Sequence, residues 1–193
     1  MKKKILQDSV VLHKREMVKP LVADLMNVSI VVLSMVLSAF VRIPLPFTPV
    51  PITAQTLIVL LGSAYLGARL APVALGIYIC LGMCGLPVFS GGEGGMGKLL
   101  GPTGGYLIGF LGASWLVGKF SAYGMKLIKN VMIFLSASMI ILVCGMLNLS
   151  LYLSVSLKTA FLLGVLPFIP GELMKAIIAA GIFKKVKLFP YKK

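Results

Sequence analysis

Acidic side chains are almost missing from this sequence: aspartate and glutamate number five in 193 residues, and the single histidine is His13. Chemistry built on clusters of carboxylates or imidazoles has little to work with, so neither a metal centre nor an acid–base enzyme is expected. Cysteine is also scarce. Cys80, Cys84 and Cys144 lie in apolar runs, which excludes a secreted disulfide framework and leaves small packing residues as their expected role. Charged residues of both signs make up only 12%, against about 25% in an ordinary soluble domain. No apolar core follows Lys2, Lys3 and Lys4 before Asp8, His13, Lys14, Arg15 and Glu16, so no signal peptide is expected.

What is present is apolar length. Hydrophobic residues are 59% of the chain, and the mean hydropathy is +1.02. Crossing about 30 Å of hydrocarbon takes about 20 residues in a helix. The runs 21–41, 52–66, 70–89, 104–120, 131–153 and 157–183 predict six spans. The second and third are joined by a tight Gly67-Ala68-Arg69 turn. The last is interrupted by Pro167 and Pro170, with Pro170 suited to the first turn of a final helix. The expected architecture is an all-α integral membrane protein, a compact six-transmembrane-helix bundle with structured outer loops. A basic tail at 1–20 precedes the bundle at 21–183, and a second basic tail follows at 184–193.

The basic residues sort by side. Fifteen fall in the two tails and in the loops holding Arg69, Lys119, Lys126 and Lys129, whereas only Arg42, Lys98 and Lys158 fall on the opposite side. The positive-inside rule then places both termini in the cytosol. A net charge of +14 also suits nucleic acid, but these bases are not interleaved with stacking aromatics on a polar face, so no nucleic-acid partner is expected. Small residues repeat every four positions at Gly101, Gly105, Gly109 and Ala113, and again at Gly76, Cys80 and Cys84. Ser34 and Ser38 form a shorter stripe on the first span. Such stripes let helices approach closely, and internal packing is the default role of all three.

Two features point to a ligand. Glu172 and Lys175, three residues apart, are the only full charges between Thr159 and Phe183. An unpaired charge at the bilayer centre costs roughly 2.5–3.5 kcal/mol, so these two either pair structurally or hold something. Three conformationally specialised segments also converge outside: the proline-rich 43–55, the glycine-rich 85–106 and 166–172 at the head of the last helix. Within the second, Gly92 to Lys98 matches the start of a phosphate-binding loop. Leu99 stands where the magnesium-binding hydroxyl would be and no strand precedes it, so nucleotide binding is not expected.

The segments IPLPFTPVPITAQT (43–56), GLPVFSG (85–91), GPTGGYLIGF (101–110) and LPFIPGELMKA (166–176) resemble the BioY family, the biotin-specific substrate-binding S components of energy-coupling factor transporters. The resemblance covers most of 31–180. It implies a protein of the cell (inner) membrane that binds biotin from outside. It also implies docking to one transmembrane energy-coupling subunit and two ATP-hydrolysing subunits, with no cofactor of its own. The acid and lysine of the family's last helix match Glu172 and Lys175. In such systems small residues on the first span serve docking, a role for Ser34 and Ser38.

A biotin pocket needs apolar walls and a few placed polar groups. Glu172 is expected to accept from the ureido N–H groups, and Lys175 to neutralise it or to meet a ligand oxygen. Gln55 and Tyr106 are expected to add hydrogen bonds, Phe47, Phe89 and Phe168 to cover the rings, and the backbone around Gly91 and Gly92 to meet the carboxylate. The alternatives are a proton-coupled secondary transporter of a small vitamin-like carboxylate and a membrane enzyme. The first lacks an evident inverted repeat, and the second lacks a nucleophile–base pair.

Overall fold

The computed structural model describes residues 2–121 and 126–185, with side chains described from Leu21 on. Helix α1 (Lys2–Phe40) is continuous through the segment expected as a separate amino-terminal tail. Two-residue strands β1 (Arg42–Ile43) and β2 (Ile52–Thr53) pair antiparallel around the proline-rich segment, where dense prolines preclude a helix. Helices α2 (Gln55–Met83), α3 (Met96–Leu100), α4 (Gly104–Phe120) and α5 (Leu127–Leu153) follow. The chain closes with α6 (Leu157–Gly164), a 3-10 turn (Leu166–Phe168) and α7 (Ile169–Lys185). Lys184 and Lys185 of the expected carboxyl-terminal tail extend α7, and the rest of that tail lies outside the described residues from Val186 on.

Among the described residues, four helical stretches are long and apolar enough to cross a membrane: Leu21–Phe40, Gln55–Met83, Leu127–Leu153 and Leu157–Lys185. The second contains the expected break. It falls at Gly67 alone (φ 75°, ψ 177°), a conformation open to glycine and strained for other residues. Expected span two begins at Gln55 rather than Ile52, because Ile52 is taken by the β pairing. Expected span three ends at Met83 rather than Phe89. Gly85, at φ 95°, turns the chain out of the helix, and Pro87 follows. Pro170 sits in the first turn of α7, as the missing N–H allows.

Helix α4 lies between α2 and α5, α1 packs on α2, and α7 closes against α5 and α2. With lipid as solvent, helices associate through close packing more than through hydrophobic burial. The Gly105–Ala113 stripe supplies that packing: a methyl at Gly105 would strike the Cys144 carbonyl, and one at Gly109 would come within 2.8 Å of the Ile141 backbone. At the far end of α4, Gly118 leaves room for the Gly67–Ala68 backbone. The α1–α2 contact adds a 2.7 Å hydrogen bond from the Tyr65 hydroxyl to Asn27. Large apolar side chains, among them Leu33, Leu37, Met132, Leu151 and Ile177, face outward, a surface suited to lipid.

The Gly76, Cys80 and Cys84 stripe does not pack inside the bundle. Among the described residues nothing stands within 4 Å of a methyl placed at Gly76, and Cys80 and Cys84 are exposed. Gly105→Ala is therefore expected to cost about 1–3 kcal/mol of stability through overpacking against backbone. Gly76→Ala should stay within about 0.5 kcal/mol of the parent. Thermal unfolding of the two variants in detergent checks the contrast.

Candidate functional site

A cavity of about 600 Å³, counting its open mouth, lies between the β hairpin, the starts of α2, α4 and α7, and the middle of α5. Its polar end is built from three elements distant in sequence. Glu172 of α7, 4% exposed, accepts at Oε1 from the Thr56 hydroxyl (2.8 Å) and from Lys175 Nζ (2.7 Å). Its Oε2 accepts from the Ser138 hydroxyl of α5 at 2.9 Å. Lys175 also donates to Thr56 Oγ1 at 2.7 Å, so acid, hydroxyl and ammonium close a three-membered ring of hydrogen bonds. The i,i+3 spacing brings the two charges together as expected.

This arrangement determines what remains for a ligand. A carboxylate offers about four acceptor sites and an ammonium three donors. Glu172 has three acceptor sites filled by protein and Lys175 has two donors spent. Among the described residues, one acceptor site on Glu172 Oε2 and one N–H of Lys175 are left, in a wall of low polarity. Breaking such a buried pair strands the surviving charge, which costs about 3–5 kcal/mol.

The depth of the site follows from helices that begin inside the bundle. Helix α6 runs only 8 residues, about 12 Å, before the chain breaks at Val165–Phe168 and restarts as α7. Glu172 is thereby carried down to the level of Ser138, near the midpoint of α5. Helix α2 also begins beside the cavity, so Gln55 and Thr56 in its first turn reach the same level.

Gln55 and Tyr106 line the cavity but are partly committed. The Gln55 amide nitrogen donates to the Tyr78 hydroxyl at 2.6 Å, and that hydroxyl donates to the Val88 carbonyl, leaving the Gln55 oxygen as its acceptor for a ligand. The Tyr106 hydroxyl donates to the Gly164 carbonyl at 2.7 Å, so its donor is spent on pinning α4 to the end of α6. Its ring serves as wall, 6.4 Å from that of Phe168, with Gly145 leaving the space it occupies. Phe89 lies edge-on to Tyr78 at 5.7 Å over Gly82, where any side chain would collide with its ring.

Three expected residues are not part of the cavity wall. Phe47 sits at the tip of the proline-rich hairpin and is 57% exposed. Gly91 packs beneath the Arg42 guanidinium and Gly92 near Phe40, and the Gly92 and Gly95 amides bond to the Phe89 and Gly82 carbonyls. Those backbone donors close a turn instead of facing a ligand. Sequence reasoning did not single out Thr56, Ser138, Lys98, Ser90 or Thr103 as site residues. Thr56 ends the IPLPFTPVPITAQT segment, and Ser138 is a polar residue within an apolar span, which was the available signal.

The mouth has a different chemistry. Lys98 of α3, Ser90, Thr103 and Pro51 are shared with a second cavity of about 450 Å³ that Arg42 and Glu93 also line. The floor thus carries a compensated ion pair, and the mouth carries two cations and one acid.

The chain matches the model of the BioY family over residues 6–190. It is 36% identical over 153 residues to the biotin transporter BioY of Rhizobium etli, covering 75% of this chain and 81% of that protein. It is 35% identical over 156 residues to the biotin transporter BioY of Thermotoga maritima, covering 79% and 88%. A crystal structure of the S-component for biotin from an ECF-type ABC transporter is similar with a TM-score of 0.78 and 29% identity, over 84% of this chain and 89% of that one. A family match over nearly the whole length and identities of 36% and 35% to these two biotin transporters agree: the chain belongs to the BioY family.

Proposed function

We propose that this protein captures biotin in the cavity above Glu172 and delivers it across the cell membrane as the substrate-binding component of an energy-coupling factor transporter. The observation that carries this reading is the Glu172–Thr56–Lys175 ring, with one free N–H and one free acceptor site at the floor of an apolar cavity. A ureido group needs that pairing: its carbonyl accepts from Lys175, and its N–H groups donate to Glu172 Oε2 and to the Gln55 oxygen. Phe89, Tyr106 and Phe168 cover the fused rings, with Leu107 and Ile141 completing the wall. The acidic tail then points to the mouth, where Lys98, Ser90 and Thr103 meet its carboxylate.

Six membrane crossings are read from α1, the two halves of α2 on either side of Gly67, α4, α5 and the broken α6–α7 unit. Both termini lie in the cytosol in this reading. Arg69, Lys119, Lys126, Lys129, Lys184 and Lys185 then share the inner side, where exposed Trp115 and Phe120 flank Lys119, its Nζ 4.6 Å from the Trp115 ring centre. Docking to one transmembrane energy-coupling subunit and two ATP-hydrolysing subunits is proposed through the outward face of α1. There Ser34, half-buried, stands beside exposed Leu33 and Leu37. Ser38 is buried and bonded to the Met35 carbonyl, so its small size acts within the bundle.

Titrating purified protein with biotin tests the site. Lys175→Met and Glu172→Gln should each weaken binding about 10- to 100-fold, and Thr56→Val about two- to tenfold, the range for charged and neutral hydrogen bonds. Phe47→Ala should leave the affinity within about twofold, as expected for an exposed residue outside the wall. Unchanged affinity in both charge variants would remove the pair from the site. A fluorescent reporter fused after Lys193 should be active in the cytosol; periplasmic or extracellular activity would invert the proposed topology.

A further inference from the structure

The ion pair at the mouth is not absorbed by the reading above. Lys98 Nζ bonds Glu93 Oε2 at 2.8 Å, with the lysine side chain 21% exposed and the glutamate 52%. Lys98 lines both cavities, whereas Glu93 lines only the outer one, so the acid holds the ammonium from the solvent side. Ser90, also in the wall common to both cavities, has a buried hydroxyl oxygen without a hydrogen-bond partner among the described residues. Arg42 adds a second cation to the outer cavity. The mouth is therefore an anion site whose lysine is already occupied by an acid of the same chain.

We infer that Glu93 is an internal counter-ion that competes with the ligand's carboxylate for Lys98 and so sets how strongly the protein prefers an acidic tail over a neutral one. The inference rests on the proposed placement of biotin, with its tail at Lys98. The backbone holds Glu93 in place for this: the Phe89 amide bonds the Glu93 carbonyl at 2.9 Å, and glycines with positive φ at Gly91, Gly92 and Gly95 shape the turn around it. An exposed pair is weak, so a carboxylate arriving from the inner cavity can replace Glu93 on the ammonium. Ser90 gains a partner in the same exchange. A neutral tail has no charge with which to displace Glu93 and leaves the pair intact.

The magnitude is bounded by the pair that is exchanged. Exposed ion pairs contribute little, so removing the competitor returns at most about a fivefold gain. The test is a titration of the full-length protein in detergent with biotin and with biotin amide, in the parent, Glu93→Gln, Lys98→Met and the double variant. Glu93→Gln should tighten biotin about two- to fivefold and leave biotin amide unchanged. Lys98→Met should weaken biotin, bring acid and amide together, and abolish the effect of Glu93→Gln in the double variant.

Equal effects of Glu93→Gln on acid and amide would overturn the inference. So would no change for biotin, or a gain that persists without Lys98. The underlying placement fails in a different way. Biotin that does not bind the parent, or an acid–amide difference untouched by Lys98→Met, refutes the tail position itself.

Discussion

The hydrogen-bonded ring of Glu172, Thr56 and Lys175 is the constraint on which the rest of this molecule depends. A carboxylate and an ammonium are held together in a wall that water reaches poorly, and neither is tolerable alone. Ser138 takes a further lone pair of the acid, so the ring ties α2, α5 and α7 to one point. Displacing any of the three helices would leave a buried charge without its partners. The ring therefore stabilises the bundle and fixes the direction of the few polar groups left for a ligand.

Backbone irregularity makes that ring possible inside the bundle. Helices α2 and α7 both begin beside the cavity, so their first turns face it. The β hairpin and the α6 segment shield their approaches. Irregular backbone in a membrane protein is tolerated where protein buries it or a cavity receives it, and here the cavity receives both helix starts. Glycine then sets how closely the remaining helices approach. Gly105 and Gly109 bring α4 against α5, and Gly145 and Gly164 admit the Tyr106 ring that closes the cavity's side.

Family membership and local chemistry agree about the class of the protein, and each adds what the other lacks. Similarity to biotin transporters supplies the vitamin. The geometry supplies a division of the cavity into a floor holding the Glu172–Lys175 ion pair, apolar walls and a mouth with two cations, and the proposed placement assigns these to the ureido group, the rings and the acidic tail. Glu93 at that mouth is an element of charge balance that family membership alone does not suggest, since it already occupies the Lys98 ammonium.

Much of this was legible in the primary structure because it depends on local spacing. The three-residue spacing of Glu172 and Lys175 put both on one helix face, the four-residue repeat of Gly105, Gly109 and Ala113 marked the α4–α5 seam, and Gly67 marked the break in α2. Roles that depend on distant partners were not legible. Spacing cannot reveal that Tyr106 spends its hydroxyl on Gly164, that Thr56 and Ser138 each fill an acceptor site of Glu172, or that, among the described residues, Cys80 and Cys84 are exposed and Gly76 has open space at its Cα. Phe47 and the Gly91–Gly92 turn belong to segments near the site, yet the fold exposes Phe47 and packs the glycine turn against Arg42 and Phe40. By itself the order of residues determined an apolar helical chain with one embedded ion pair, because periodicity and charge scarcity are properties of neighbours along the chain. Only the tertiary structure decided which polar atoms stay free for a ligand, because that depends on contacts across more than a hundred residues.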